Sequence, residues 1–497
     1  RHSASRAQGG STRVARPTHL RTSLLCVWTK AAVMTRNLRQ GACVAEGADC
    51  ELKAKTCTRQ RRGSRSQASG DKQSHKSATA FTGRVGDRGR LAYYVHKGNN
   101  ANLVRRQFRH RASWEPAVAP WQLASLNDGA GLRSLSELAG AADMIWCQYR
   151  SQLGPFEQYL RSRRRRGAQW PVLLNHFDNV RVLVHKSRLY ETLGLGQIQS
   201  LAPWTRVVRL VPKDVTPGSV EPHLRDLDIR DEVVYIVKPG ESSNRGFGIR
   251  LARGVSEVAR TIEHAAQKSK RSERSWIVQE YIARPLLLRR RKFDVRCYAL
   301  LVFDSSTAAS RDGESSFHAF LHKLAYLRTA ASEFSLASLG DRITHLTNDA
   351  VQKTGKDYLK DPNRNKLSLA DFEEILDSEV EPGAGSWVHE SFWPEVTKSV
   401  KQTLAAGVAA GINSSNYPRC FELFGFDFMV NDAREVKLIE VNDNPCLEQV
   451  CPLLAELIPK LVADTMDIVL DRSYSGAEHS AAPGSAGGTD NGYQKLF

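Results

Sequence analysis

Residues 421–442 read FELFGFDFMVNDAREVKLIEVN. Two apolar-rich runs alternate with period two on either side of the polar NDARE, the mark of a β-hairpin. With the turn centred between Ala433 and Arg434, Asp427 stands opposite Glu440, Phe426 opposite Val441 and Phe428 opposite Ile439. The phenylalanines, Val441 and Ile439 then form an apolar layer, and the other face carries the two acids. Residues directly opposed on one face lie roughly 4.5–5.5 Å apart, so this like-charge pair costs stability. A divalent cation between them removes that cost. Asn442 points the same way and adds an amide oxygen. Two carboxylates and an amide make an all-oxygen set suited to Mg²⁺, which keeps waters and takes further ligands from phosphates. A solvated hairpin face carrying harmless acids is the competing reading, and the hairpin alone does not choose between them.

Upstream lie residues that suit phosphate. Lys238 ends the apolar run VVYIV and is followed by PGESSNRGFGI. A lysine at a strand end beside a glycine-rich turn can set its ammonium on a phosphate, and Gly240, Gly246 and Gly248 allow close backbone approach. The nucleotide P-loop pattern G-x-x-x-x-G-K-[ST] is absent. In KFDVRCY, Lys292, Asp294, Arg296 and Tyr298 share one face of a strand, with Phe293, Val295 and Cys297 on the other. Arg328 and the run His345-Leu346-Thr347-Asn348 follow on later segments, with Gln352 and Lys353 just beyond.

The rest of the chain frames these elements. Its 497 residues allow two or three packed domains, and its net charge is +18. Residues 1–110 hold 23 Lys and Arg against 5 Asp and Glu, which accounts for the whole excess. Rich in Arg, Ser and Gly, this stretch is expected to be a disordered basic arm of the kind that contacts polyanions or merely solubilises. From about Trp114 regular apolar spacing returns, and Arg161–Arg166 includes a compact basic run. An N-terminal α/β segment over 111–200, a central one over 201–285 and a C-terminal one over 286–472 are expected, with a disordered Gly/Ser/Ala-rich tail over 473–497. Nine cysteines show no C-x₂-C pair, so neither a zinc site nor a disulfide framework is indicated. Reduced thiols in a cytoplasmic protein fit that pattern. No apolar run reaches the ~18 residues of a membrane span.

Taken together, NHF, IVKPG with RGFGI, VQEYI followed by PLLL, KFDVRCY, HLTNDAVQK, and FELFGFDFMV with LIEVNDNPCLE resemble the tubulin–tyrosine ligase-like family, in that family's order over about residues 145–470. The resemblance implies an α+β ATP-grasp core that uses ATP and Mg²⁺. It implies a ligase that activates a carboxylate as an acyl phosphate and joins an amine to it. The carboxylate would belong to the acidic tail of tubulin, on microtubules in the cytoplasm, and the amine to a free tyrosine, glutamate or glycine. Neither nucleic acid nor membrane is an implied partner.

At matching positions, Lys186 and Lys238 would contact the ATP phosphates beneath Gly246 and Gly248. Gln279, Glu280, Tyr281 and Ile282 would line the adenine pocket, and Asp294 would hold nucleotide or metal. Arg296 and Arg328 would face the γ-phosphate and the acyl phosphate, with Thr347 and Asn348 bordering the reacting groups. Asp427, Glu440 and Asn442 would carry Mg²⁺, in agreement with the hairpin geometry. Glu280, Phe247 and Lys437 depart from the family's usual residues. Two alternatives are a small-molecule ATP-grasp ligase and an inactive microtubule-binding homologue.

Overall fold

The computed structural model describes residues 90–98, 100–117, 142–154, 173–240, 246–269, 274–305, 316–356, 358, 362–363, 365–414, 417–471 and 491–497. Most of the basic arm, the run Arg161–Arg166 and most of the expected tail lie outside the described residues.

Strands β1 (Leu91–Val95), β2 (Trp114–Pro116), β3 (Met144–Trp146) and β4 (Leu173–Leu174) pair in parallel. A separate antiparallel sheet contains β5 (Thr205–Leu210), β6 (Val234–Pro239), β7 (Arg250–Arg253) and β8 (Arg274–Glu280), in the order β5-β8-β6-β7. Strands β9 (Leu287–Leu288), β10 (Arg291–Asp304), β11 (Phe317–Thr329), β12 (Lys366–Ser368), β13 (Arg419–Val430), β14 (Val436–Asn442) and β15 (Tyr493–Lys495) complete a large mixed sheet with β1–β4. Its main path runs β12-β11-β10-β13-β4-β3-β1-β2, with β14 on β13, β15 on β11 and β9 on β10. This is the expected α+β architecture.

Period-two patterning puts apolar residues on both faces of the large sheet. Val295, Cys297, Phe424, Phe426 and Phe428 are buried on one face with Leu189, Phe372, Val396 and Leu404 of three covering helices, Lys186–Leu195, Leu369–Glu379 and Trp393–Ala409. The opposite face buries Leu300, Phe320, Phe421 and Leu423 with Leu457 and Leu461 of helix Pro452–Met466 and Phe108 of helix Ala101–Arg109. Under helix Gly254–Gln267 lies a smaller core of Tyr235, Val237, Trp276 and Val278. No described helix is long and apolar enough to cross a membrane. Among the described residues, Cys147, Cys297, Cys420, Cys446 and Cys451 form no disulfide.

Two expected disordered stretches contain ordered structure. Residues 91–110, assigned to the arm, supply β1 and helix Ala101–Arg109, whose Phe108 stacks on Tyr93 at 4.0 Å. The short run LAYYV carries enough apolar surface to enter the sheet beside β3, despite the Arg- and Gly-rich residues before it. Residues 493–495, assigned to the tail, form β15 on β11, because Tyr493 is buried against His322.

A truncation lacking residues 1–110 therefore removes β1 and its helix, where Val95, Leu103, Val104 and Phe108 are all buried. At about 1.5–3 kcal/mol for each large buried side chain, it is expected to melt well below the intact chain. A truncation lacking residues 1–89 deletes none of these contacts and is expected to keep its midpoint. Equal melting of the two in calorimetry would show that β1 and its helix are dispensable.

The hairpin forms with Asp427 opposite Glu440 and Phe426 opposite Val441. Beyond that point its register differs from the sequence expectation, since Phe428 faces Leu438 rather than Ile439 across a bulge. The turn explains the slip. Asn431 closes it on Glu435, its side-chain Oδ1 accepting from Glu435 N–H at 2.8 Å, and Arg434 takes a φ of 62°. That turn shifts the pairing by one residue at its own end, and the bulge restores it beside the acids. Ile439 is the extra residue and is left facing the cleft.

Candidate functional site

The charged face of β10 is buried, not solvated. Lys292, Asp294 and Arg296 are 3%, 5% and 6% exposed, because β10 lies between β11 and β13. Register brings their partners alongside. Arg328 on β11 lies opposite Asp294, and Asp427 on β13 lies opposite Arg296. Arg296 grips Asp427 with both Nε and Nη2, the latter donating to Oδ2 at 2.9 Å. Arg328 bridges the two acids, its Nε donating to Asp294 Oδ1 at 2.6 Å and its Nη2 to Asp427 Oδ2 at 2.8 Å. Thr347 Oγ1 donates to Asp294. Gly425 makes room for this, since a Cβ there would stand 3.3 Å from Arg296 Cδ.

Asp427 is thus already neutralised by two guanidiniums, which corrects the expectation of two bare acids repelling each other. Burial pushes its carboxyl up, but Arg296 and Arg328 outweigh that and hold it well below the usual carboxylate range. Asp294 is raised, because burial and the nearby Asp427 outweigh its one arginine. Across the hairpin, Glu440 pairs with Lys186 at 3.3 Å, and Asn442 lies beside it, Nδ2 to Oε1 3.5 Å.

The two-lysine floor comes from the other sheet and from β10. Lys238, at the end of β6, donates to Gln279 Oε1 at 2.7 Å, and Gln279 in turn donates to Tyr190 Oη at 2.7 Å and Thr205 Oγ1 at 3.0 Å. Lys292 Nζ donates to Tyr281 Oη at 2.9 Å and to His345 O at 3.1 Å. Burial lowers both ammoniums, Lys238 to about 8 and Lys292 to about 7. Gly246 and Ile249, of the glycine-rich segment, line the same cleft as both lysines. Gly246 has a φ of 72° and its carbonyl accepts from Arg342 Nη2 at 2.8 Å, while Gly248, with a φ of 74°, packs where a Cβ would strike Pro239.

A cleft of about 80 Å³ joins these parts, with Lys186, Lys238, Gly246, Lys292, Asp294, Arg328, Thr347, Asn348, Asp427 and Glu440 on its walls. Arg296 stands behind Asp427. Glu280, Tyr281 and Ile282 line a neighbouring recess of about 370 Å³ with Trp204 and Lys437. Tyr281 is the shared wall, since its hydroxyl reaches Lys292. Gln279 faces Lys238 instead of that recess.

Lys292 and Ile439 are among the cleft residues that the sequence candidates left out. Lys292 stood in plain view on the alternating face of KFDVRCY, and its burial was the missing fact. Ile439 enters only through the bulge. The NHF motif has a structural part to play, since His176 Nδ1 pairs with Glu422 at 2.9 Å and so ties the chain after β4 to β13. That pairing raises the imidazole well above its ordinary value, against the effect of burial.

Comparison with known proteins adds to this geometry. A family model described as "Tubulin-tyrosine ligase family" matches residues 167–476. Tubulin glycylase 3B of Drosophila melanogaster is 30% identical over 243 residues, covering 48% of this chain and 29% of its own. For the protein named inactive polyglycylase TTLL10 of Homo sapiens, the identity is 30% over 311 residues, covering 58% and 44%. Protein monoglycylase TTLL8 of Homo sapiens is 30% identical over 248 residues, covering 48% and 26%. The chain spans less than half the length of these relatives.

Proposed function

The chain belongs to the tubulin-tyrosine ligase family, and from that premise we propose that it is an ATP- and Mg²⁺-dependent ligase joining glycine to a carboxylate on the acidic tail of tubulin. The observation that carries this reading is the single cleft holding anion-binding cations and cation-binding oxygens together. Glycine is favoured over tyrosine or glutamate because each relative above is named for glycine transfer. One of those names reads "inactive", but here Asp427, Glu440, Asn442, Arg296 and Arg328 are all present, which supports a working site.

The residues present fit the implied groups. Among the described residues no three His, Cys, Asp or Glu side chains gather into a closed metal cage. An open set of Asp427, Glu440 and Asn442 instead suits Mg²⁺, which draws remaining ligands from water and phosphate. Bound ATP would supply the phosphoryl group that activates the carboxylate, and Mg²⁺ the counter-charge. Lys238, Lys292 and Lys186 would hold phosphate oxygens, releasing Glu440 from Lys186. Arg328, fixed by Asp294 and Asp427, would present its guanidinium to charge developing on transferred oxygens without reorganising, and Arg296 would hold Asp427 in place from behind. Thr347 and Asn348 would border the acceptor, and the recess at Glu280, Tyr281 and Ile282 would take the base.

Incubation with ATP, Mg²⁺ and an acidic tubulin-tail peptide, with glycine, glutamate or tyrosine supplied separately, tests this. Mass spectrometry is expected to show peptide heavier by one or more glycine residues. Products with glutamate or tyrosine alone would overturn the choice of amino acid. No product and no ATP turnover with any of the three would overturn the ligase reading.

A further inference from the structure

The hairpin that leads into the cleft turns on two arginines. Strands β9 and β10 pair Leu287 with Lys292 and Leu288 with Arg291, which leaves Arg289 and Arg290 as the whole turn. Both sit in the left-handed region, with φ of 50° and 59°. A two-residue loop with both φ positive is of the type I′ kind, whose usual occupants are Asn-Gly, Asp-Gly or Gly-Gly because larger side chains are strained there. Turn chemistry gives no reason for arginine at either place.

Neighbours hold the strained backbone. Arg289 N–H donates to Glu379 Oε2 at 2.8 Å, and Phe334 N–H donates to Arg290 O at 2.9 Å. The guanidiniums remain in solvent, the side chains being 65% and 81% exposed, and their ion pairs at 3.9 Å to Glu379 and 3.1 Å to Glu333 are of the surface kind that contributes little. Strain that persists without a packing return marks a functional position.

The turn also stands at the rim of the cleft. Lys292, which lines the cleft, follows two residues after Arg290. Phe334, which holds the turn, meets the ring of His345 edge-on at 5.9 Å, and His345 lines the cleft as well.

We propose that Arg289 and Arg290 form a docking site for the acidic residues that flank the acceptor carboxylate as it enters the cleft. The proposal rests on the reading of the protein as a ligase for acidic tails and names the surface that would select them. Adjacent guanidiniums recognise carboxylates bidentately, so a run of Glu or Asp side chains is their complement.

The test is the double variant Arg289→Asn/Arg290→Gly, which supplies ideal turn residues while removing both charges. Anisotropy with a labelled Glu-rich peptide is expected to show about five-fold weaker binding at low salt, shrinking as salt rises. The thermal midpoint is expected to rise by about 2 °C as the strain is relieved, and nucleotide affinity to stay unchanged. Arg289→Lys/Arg290→Lys keeps the charges and is expected to retain most of the peptide binding. Unchanged peptide affinity in the Asn/Gly variant overturns the proposal. So does an equal loss for an oligonucleotide of the same charge, which would make the turn a general polyanion site. The ligase reading is judged separately. A native chain that ligates nothing yet loses peptide binding in the variant refutes that reading and leaves the docking site standing, whereas active ligation with unaltered binding refutes the docking site alone.

Discussion

Asp427→Asn is expected to lose ligation by at least about 100-fold and also to melt earlier than the native chain. The loss of activity follows from removing a carboxylate that would hold Mg²⁺ and orient both guanidiniums. The loss of stability follows from the pairing itself. Asp427 is 2% exposed and takes hydrogen bonds from Arg296 and Arg328, so the amide leaves two buried cations short of an anion. Breaking a buried ion pair from one side costs about 3–5 kcal/mol, and the retained amide oxygen puts the expected cost near the lower end. Glu440→Gln separates the two effects. Glu440 has a 22% exposed side chain and one ammonium partner, so its neutralisation should cost under about 1 kcal/mol and still remove most ligation. Ligation assays and calorimetry on both variants decide the matter. Native-like activity in both would sink the metal assignment, and an unshifted midpoint in Asp427→Asn would sink the buried quartet.

Nucleotide affinity is expected to fall as pH rises from 7 to 9, by at least about ten-fold. Burial makes the ammoniums of Lys238 and Lys292 costly, bringing them to about 8 and about 7. The groups facing them are Gln279, Glu440 and Lys186 around Lys238, and Tyr281, His345 and Asp294 around Lys292. An unfolded chain keeps these protons to about pH 10.4. Between pH 7 and 10 the unfolded state therefore binds more protons, so these two lysines make the ligand-free fold more stable as pH rises. Phosphate binding at these lysines would have the opposite sign, because it would need both charged and so take protons up. Calorimetric titration with a non-hydrolysable nucleotide, in two buffers of different ionisation enthalpy, reads that uptake directly. Lys238→Ala is expected to weaken binding about 10- to 100-fold at pH 7 and to flatten the pH profile. A pH-independent affinity with no proton uptake would show that neither lysine meets the phosphates.

Much of this was legible in residue patterns. Period-two alternation in 421–442 and in KFDVRCY placed Asp427 against Glu440 and set Asp294 and Arg296 on one face, because pleating converts spacing directly into facing. What alternation does not encode is the neighbour two strands away. That Arg328 would bridge Asp294 and Asp427 depends on the β11-β10-β13 order, which is a product of long-range pairing. The bulge at Asp427 and Phe428 escaped for a related reason, since it compensates a turn whose register depends on one side-chain cap at Asn431. LAYYV and GYQKLF were hidden by composition. Each is a short apolar run beside a Gly-, Ser- or Arg-rich stretch, and only a waiting sheet edge gives it structure.

Strands far apart in the sequence enter one sheet, β1 beginning at Leu91 and β15 ending at Lys495. A chain emerging from the ribosome can close the β5–β8 sheet early, since all its partners fall within residues 205–280. The large sheet must wait for β13 before β4 and β10 gain their shared neighbour, and for β15 before the Phe320–His322 edge of β11 is covered. From the completion of β11 at Thr329 until β13 begins at Arg419, β10 and β11 are then an exposed apolar ribbon, the kind of surface that chaperones bind and that aggregates when they do not. Yield in a heterologous host should accordingly depend more on chaperone supply and slow translation than on the measured stability of the finished fold.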